Sequence, residues 1–206
     1  DVDNCTDLTA CNYDGTTNFG CLFSEVVTTH SSGDLAGMTT YRLYVELGES
    51  TDFLSAIFGE GANAVRIQTT TGFYQDPGGS AQADAINASF YQFVPNLAYD
   101  SWVTIGHAPE DGTAAASITV TNSPNQNWGS AFEAGGDIII DDLFGGLWSI
   151  LNDGNSQGLA GDDKRVLIAQ LTTDGVLTAD IAGQYFPDFG CCVAGSADGT
   201  AQEFFM

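Results

Sequence analysis

The chain has 206 residues, and 43% of them are hydrophobic, which is enough to bury the core of one large all-β domain or two small ones. Twenty-seven acidic side chains face four basic ones, and the net charge of −23 argues against nucleic acid and anionic lipid as partners, since phosphate groups bind clustered Lys and Arg. The acidic surface is either a solubility feature of a secreted protein or a source of cation ligands. No apolar run reaches the ~18 residues of a membrane-spanning helix.

The N-terminal 21 residues are rich in cysteine and in Asp and Asn. They contain Cys5, Cys11 and Cys21, three of the five cysteines in the chain. So short a segment has little to bury, and we expect disulfides or a bridging cation to hold it. This favours an oxidising, extracellular or cell-surface location. We predict a boundary here, with a Cys-rich segment at 1–21 and a β-sandwich domain at 22–206.

The sequence after residue 21 predicts β-strands, because Val, Ile, Thr, Tyr and Phe recur mostly with a period of two. The predicted strands are 22–30, 41–47, 53–58, 64–69, 89–94, 101–105, 116–121, 137–140, 147–151, 165–171, 176–181 and 201–206. The run 166–169 is continuously apolar, which predicts a strand buried on both faces. Turn signals lie between the strands, as at 76–79 and 152–154. The pattern is typical of an all-β sandwich, jelly-roll or immunoglobulin-like, with at most a short helical turn within 81–89.

The cysteine count is odd, so the thiols cannot all pair within one chain. Cys191 and Cys192 are adjacent, and neighbouring cysteines rarely bond each other because the ring is strained. Either they tie down the N-terminal segment, or one bridge closes within residues 1–21. The remaining thiol is either unpaired and buried or linked to a neighbouring subunit.

Residues 153–163 have the oxygen spacing of the first half of a calcium loop. The candidate ligands are Asp153, Asn155, Gln157, Asp162 and Asp163, with a Gly at the sixth position. A calcium loop has a Glu at its twelfth position, where this chain has Lys164. The alternative is an Asx-rich turn whose side chains cap backbone groups.

Catalysis finds little support, because neither a GxSxG nor an HExxH motif occurs. A pair of catalytic carboxylates of the glycosidase type is an alternative that the sequence does not exclude, but acidic residues are too abundant to identify a particular pair. We expect the aromatic side chains to be mostly core material, and an aromatic platform for a glycan, around Phe73–Tyr74 or Trp128, is the alternative interpretation. Two N-glycosylation sequons begin at Asn4 and Asn87.

The C-terminal residues predict an apolar strand that needs a partner. Left exposed, such a strand would aggregate, so we expect it to pair in its own sheet or in that of a neighbour. The residues predicted to take part in assembly are Ala201, Glu203, Phe204, Phe205 and Met206.

Residues 5–14, CTDLTACNYD, resemble a CTDxxACNYD motif of large secreted and surface proteins of aquatic bacteria. Asn4 replaces the usual Gly, and residues 18–20 replace the usual DGS before the last Cys. The sandwich resembles an uncharacterised domain of such proteins. The similar segments are 40–45, 54–59, 99–106, 140–142 and 160–163. The resemblance implies export and a cell-surface or matrix role. It carries no catalytic residues.

Together these features predict a non-catalytic extracellular structural protein. Its subunits would join head to tail into a filament or surface layer through terminal segments, with itself as partner. The alternative is a calcium-stabilised adhesin or glycan-binding module. A secreted glycan-active enzyme is a third, weaker interpretation.

Overall fold

The computed structural model describes residues 21–152, 154–188 and 201–206. Within these ranges, twelve strands form three antiparallel sheets in a sandwich-like arrangement, so the predicted all-β fold is confirmed. The strands are β1 (Leu22–Thr29), β2 (Thr39–Glu46), β3 (Phe53–Gly59), β4 (Val65–Thr69), β5 (Trp102–Val103), β6 (Thr119–Thr121), β7 (Ile138–Ile140), β8 (Gly146–Ser149), β9 (Arg165–Thr173), β10 (Leu177–Asp180), β11 (Ala182–Phe186) and β12 (Gln202–Phe205). One α-helix, α1 (Trp128–Glu133), occurs in the described residues.

The four-stranded sheet has the order β1-β2-β9-β5. Strand β9 is buried from Val166 to Thr173, because it lies between two neighbours and is covered on both faces. This confirms the prediction made from its apolar run. Hydroxyl groups inside the sheet satisfy one another: Thr40 and Thr172 lie 2.7 Å apart, and the Thr172 hydroxyl donates to the carbonyl of Tyr99 at 2.6 Å. Buried hydroxyls need such partners, since an unmade hydrogen bond costs about 1–3 kcal/mol.

The other two sheets have the orders β12-β11-β3-β8-β6 and β10-β4-β7. Strand β3 is nearly all buried and is central in the five-stranded sheet. The short connections β3–β4 and β7–β8 link the two sheets at one end of β4, where Val65 pairs with Ile140. At the other end of β4, residues beyond Thr69 approach the segment before β7, and the Phe73 amide donates to the Gly135 carbonyl at 2.9 Å.

The core is one cluster of aliphatic and aromatic side chains. Trp102, Trp148, Phe53 and Phe132 are fully buried, and Trp148 packs against Trp128 with ring centroids 5.4 Å apart. The Trp148 indole N–H donates to the carbonyl of Thr104 at 3.0 Å, so its polar atom is satisfied inside the core. Each such side chain contributes roughly 2–3 kcal/mol by burial.

Residues 89–94 do not form the predicted strand, so this prediction is wrong. Ala88–Phe90 and Pro95–Tyr99 are 3-10 turns, and the Asn87 side chain caps the first by accepting from the Ser89 amide. Local capping and the proline override the β propensity of the aromatic residues. Neither α1 nor a separate strand β11 was expected from the sequence pattern. The expected helical turn within 81–89 is present at Ala83–Ala85.

Among the residues described, no helix is both long enough and apolar enough to cross a lipid bilayer.

Candidate assembly and binding surfaces

The outer strands of the three sheets differ strongly in length. In the described ranges, five of the six outer strands have two to four residues, whereas β1 has eight. A long edge presents more unpaired backbone groups, and β1 has neither the Lys nor the Pro that commonly protects an edge. Its bulge at Val27 adds twist. Val26 and Val27 are exposed by 57% and 42%.

Strand β12 is one of the two outer strands of the five-stranded sheet, and the predicted assembly residues lie in it or next to it. It pairs antiparallel with β11, and the backbones of Met206 and Ile181 exchange hydrogen bonds of 2.7 and 2.9 Å. The sequence left two partners for this strand, a sheet of its own chain or a sheet of a neighbouring subunit. In the structure, β12 pairs with a strand of its own chain. Glu203 and Phe205 are exposed, whereas Ala201 and Met206 are half-buried.

Phe204 anchors β12 to the sheet. Its side chain is buried, lies over Gly183 and contacts Tyr185 at a ring distance of 6.4 Å. A Cβ atom on Gly183 would lie 2.6 Å from Phe204 Cζ and 2.6 Å from the carbonyl oxygen of Ala56. The missing side chain at residue 183 thus creates the space that receives Phe204.

A depression of about 420 Å³ opens beyond the C-terminal end of β4. We call this cavity the depression. It is lined by Met38, Gly72, Phe73, Tyr74, Gln75, Ala134, Gly135 and Asp174. Most of the lining is apolar or backbone. Two of its polar side chains already have partners: Gln75 Nε2 donates to the Phe132 carbonyl at 2.9 Å, and the Tyr74 hydroxyl donates to Asp76 at 2.8 Å.

Residues 141–145, which we call the tip, connect β7 to β8 and present two apolar side chains. Leu143 is 85% exposed and Phe144 is 68% exposed. Asp142 fixes the turn, since its Oδ1 accepts from the amides of Phe144 at 3.1 Å and Gly145 at 2.9 Å, and its Oδ2 accepts from the Ser123 hydroxyl. These bonds hold the pKa of Asp142 below its ordinary value, with the Ser123 bond as the main cause.

Asp141 is also satisfied within the tip region. Gln126 donates to Oδ1 at 2.6 Å and Arg66 donates to Oδ2 at 2.8 Å, and these bonds, the first more than the second, lower the pKa of Asp141. The Gln126 side-chain oxygen in turn accepts from the amides of Asp141 and Asp142. The tip is therefore a hydrogen-bonded frame around two exposed apolar side chains.

Residues 76–80 and the Asp100 carboxylate form a second Asp-rich turn, the acidic turn. Asp100 is fully buried and accepts from the amides of Asp76 at 2.7 Å and Ser80 at 3.0 Å. A Cβ on Gly79 would lie 1.9 Å from Asp100 Oδ2, so only glycine permits this approach. Burial, helped by the nearby charges of Asp76 and Glu133, raises the pKa of Asp100 to about 7.

The predicted calcium ligands are partly engaged with the backbone. Asn155 Oδ1 accepts from the Gln157 amide at 3.0 Å, and the Gln157 side-chain oxygen accepts from the Ala116 amide at 2.9 Å. Asp163 accepts from the Arg165 amide at 3.3 Å, and Asp162 is exposed. Asp153 lies outside the described residues. Over the described ranges, no three His, Cys, Asp or Glu side chains are close enough to hold a metal ion. Calcium binding stays a prediction.

Of the predicted disulfide and glycosylation residues, the structure describes Cys21 and Asn87. Cys21 is buried beside β1, and its carbonyl accepts from the Glu46 amide at 2.9 Å. Asn87 is exposed, as glycan attachment requires. Asn4, Cys5, Cys11, Cys191 and Cys192 lie outside the described residues, so pairing and glycosylation stay predictions.

The aromatic platforms proposed for a glycan are mostly core. Trp128 is 2% exposed and its indole N–H donates to the Thr121 carbonyl at 3.0 Å, so it offers no open face and that prediction is wrong. Phe73 is buried against Phe132, and of this pair only Tyr74 is half-exposed.

Sequence patterns alone missed both the tip and the depression. The one available signal for the tip was an apolar pair, Leu143–Phe144, inside a turn where polar residues are usual. The depression joins four separate chain segments, which no local pattern reveals. A comparison with protein-family models, with curated proteins and with solved structures finds no match to this chain.

Proposed function

We propose that the protein is a non-catalytic extracellular structural subunit that joins head to tail into a filament or surface layer. A terminal segment of one subunit adds a strand to the next. The observation that carries the proposal is β12, a four-residue outer strand that pairs with β11 alone and is anchored by Phe204.

Exchange of β12 between subunits would preserve all of its contacts. The same β11 edge and the same space above Gly183 accept Phe204 from either chain, so the exchange costs little beyond the entropy of association. A strand passed from each subunit to the next creates a contact that does not close, which produces a fibre. The odd cysteine count supports a disulfide that locks the joint, and the cysteines themselves favour an oxidising, extracellular setting.

The test compares the native chain with a variant lacking residues 201–206 and with a matched pair, Phe204→Ser and Phe205→Ser. Negative-stain microscopy of the native chain should show filaments that lengthen with protein concentration. The deletion and Phe204→Ser should abolish them, because they remove the buried anchor. Phe205→Ser should retain them, because Phe205 is exposed.

Two further measurements sharpen this test. A synthetic peptide of residues 201–206, added in excess to dissociated subunits, should block reassembly by occupying β11. Electrophoresis without reductant should show a ladder that collapses with thiol if a disulfide locks the joint. The proposal fails if the native chain stays monomeric at high concentration, or if filaments form regardless of residue 204 and of the peptide.

The second candidate is a calcium-stabilised adhesin or glycan-binding module. The half-exposed Tyr74 and the exposed Asp174 favour it, because both line a depression within the ~300–1,000 Å³ range of small-molecule sites. Glycan-array binding that EDTA abolishes, in a protein that stays monomeric, would support it over assembly. The residues to replace in that experiment are Asp162 and Asp163, the two predicted calcium ligands with carboxylates that lie within the described ranges.

A further inference from the structure

We infer that strand β1 pairs antiparallel with β1 of a second copy of this chain, around a two-fold axis at Ser24. The four-stranded sheets of the two copies then form one continuous sheet across the contact. This contact is separate from the head-to-tail joint proposed above and goes beyond it, because it uses a different sheet. Where both contacts form, β1 pairing joins neighbouring filaments side by side into a layer.

Alternate residues of β1 turn their backbone groups away from β2. Cys21 lies opposite Glu46, whose amide donates to the Cys21 carbonyl at 2.9 Å. Hydrogen-bonded and non-hydrogen-bonded pairs alternate along an antiparallel ladder. The N–H and C=O groups of Leu22, Ser24 and Val26 therefore point to the free side of β1, where no strand of the described ranges pairs with them.

A two-fold axis at Ser24 gives the register that pairs all three of these residues. Ser24 then lies opposite Ser24 of the second copy and Leu22 lies opposite Val26, and each pair exchanges two hydrogen bonds. An axis at Glu25 would instead place the two Glu25 side chains directly opposite each other, which is unfavourable for like charges.

Opposite charges meet in the Ser24 register. Glu25 is exposed and lies directly opposite Phe23 of the second copy. The Arg165 guanidinium covers Phe23, with Cζ 3.7 Å from the ring centroid. Arg165 Nε donates to Glu46 at 3.1 Å, and its terminal nitrogens have no partner among the described residues. Each Glu25 thus meets Arg165 of the other copy, and the two-fold axis repeats this ion pair.

The surroundings of the contact are close to neutral in a chain of net charge −23. Arg42 and Arg165 lie near β1 together with the carboxylates of Glu25, Glu46 and Glu110. Glu110 and Glu46 are already paired with the two arginines within the chain. The two Glu25 side chains lie on a diagonal about 7–8 Å apart, so each is closer to the guanidinium opposite it than to its copy.

The other nearby charges lie farther from the axis. Lys164 and Glu49 form an ion pair of 3.5 Å. Asp162 and Asp163 precede β9, which β2 separates from β1, so they are about 10 Å from the free side of β1. This distance exceeds the Debye length of about 8 Å at physiological salt, so their repulsion is screened. Asp34 lies in the connection after β1, beyond the paired residues.

The contact also buries apolar surface that β1 otherwise exposes. Val26, which is 57% exposed, packs against Leu22 of the second copy, and Leu22 itself packs against the core. An outer strand of eight residues that exposes valines and has neither Lys nor Pro is a feature that proteins avoid unless the edge has a partner. Both the backbone and the side chains of β1 are therefore suited to a second β1.

Hydrogen exchange at single amides of the full chain tests this contact directly. At high protein concentration, the amides of Leu22, Ser24 and Val26 should be protected, and dilution should return them to fast exchange. The amides of Phe23 and Glu25 should stay protected at both concentrations, because they donate to β2 within the chain.

The first variant is Ser24→Lys, with Thr119→Lys as its control. Both side chains are exposed on outer strands, so folding should be unaffected, and both variants add the same charge to an acidic chain. Ser24→Lys places two ammonium groups opposite each other across the axis, so sedimentation should show self-association weakened about fivefold or more. Thr119→Lys should not weaken it.

A double-mutant cycle tests the register. Glu25→Gln and Arg165→Gln should each weaken self-association about threefold or more, because the ion pair occurs twice in the contact. The double variant should be little weaker than either single variant, because both remove the same interaction. Arg66→Gln is the control for loss of a positive charge, since Arg66 lies in another sheet, and it should associate as the native chain does. Fully additive effects would overturn the pairing of Glu25 with Arg165.

The outcomes separate the β1 contact from the proposed function. The contact is overturned if the outward amides of β1 exchange fast at every concentration, if they are protected at every concentration by a cover within one chain, or if Ser24→Lys leaves their protection intact. Filaments that still require Phe204 in these cases preserve the proposed function. Concentration-dependent protection of β1 in a chain whose Phe204→Ser variant assembles equally well supports the β1 contact and removes strand exchange.

Discussion

The acidic turn and the tip use the same residue type in opposite ways. The acidic turn buries the Asp100 carboxylate on two backbone amides, and burial raises its pKa to about 7. The tip leaves Asp141 and Asp142 partly exposed, and hydrogen bonds hold both pKa values below the ordinary value. An aspartate in a turn therefore has no fixed role, because desolvation and hydrogen bonding act on its charged form in opposite directions.

The largest expected effect comes from Asp100. Its folded-state pKa lies above the unfolded value of about 3.9, so the folded chain binds more protons and loses stability as pH rises from about 4 to about 7. Asp100→Asn removes this titration but offers one acceptor to two amides, which costs about 1–3 kcal/mol. Urea unfolding from pH 4 to pH 8 should show a steeper fall in the free energy of unfolding for the native chain.

The difference between the two proteins isolates Asp100, because repulsion among the remaining carboxylates acts on both. It should amount to a few kcal/mol across this pH range, since each tenfold difference in proton affinity between the folded and unfolded chain is worth about 1.4 kcal/mol. Parallel stability curves for the native chain and Asp100→Asn would contradict the assignment.

An intermediate effect is expected at Asp142. Asp142→Ala removes the acceptor for the Ser123 hydroxyl and for the amides of Phe144 and Gly145. Hydrogen exchange at these two amides should accelerate, because the tip is no longer fixed. Asp163→Ala is the control, since Asp163 is an exposed acceptor outside the tip. Unchanged exchange at both amides would show that Asp142 does not hold the turn.

The smallest effect is expected from Arg66→Gln. The Arg66–Asp141 ion pair is partly exposed, so its loss should change the free energy of unfolding by about 0.5 kcal/mol or less. The pKa of Asp141 should rise but stay below the ordinary value, because Gln126 is the larger cause of its lowering. Carboxyl titration followed by NMR measures this directly. A pKa that returns fully to the ordinary value would show that Gln126 contributes nothing.

Acidification sharpens the contrast between the two turns. The lowered pKa values of Asp141 and Asp142 give stability that is present above the unfolded pKa and is lost only as pH falls through the folded values. The tip should thus be insensitive to pH between about 5 and 7, where Asp100 titrates.

Strand prediction succeeded where burial and local pattern agree. Strand β9 was recognisable because its continuous apolar run matches a strand covered on both faces. Residues 89–94 misled because their aromatic side chains have β propensity, whereas Asn87 and Pro95 set the local backbone. Strand β11 was missed, because the predicted strand ended at residue 181 and no turn signal marks the start of a new strand in another sheet one residue later.

For the candidate surfaces too, local sequence pattern was sufficient to predict a strand but not its contacts. Periodicity along the chain was enough to indicate that residues 201–206 form a strand needing a partner. That the partner is β11, with Phe204 in the space above Gly183, depends on residues about 20 positions earlier in the chain.

The sequence by itself determined the all-β class, most strand positions, the acidic surface and the need of the C-terminal strand for a partner. These follow from side-chain periodicity and charge, which are local or additive properties. Only the tertiary structure decided which carboxylates are buried, which strand β12 joins, and that an apolar tip and an open depression lie at opposite ends of β4 and β7. Each of these depends on contacts between residues far apart in the chain, which arise only when the sheets pack together.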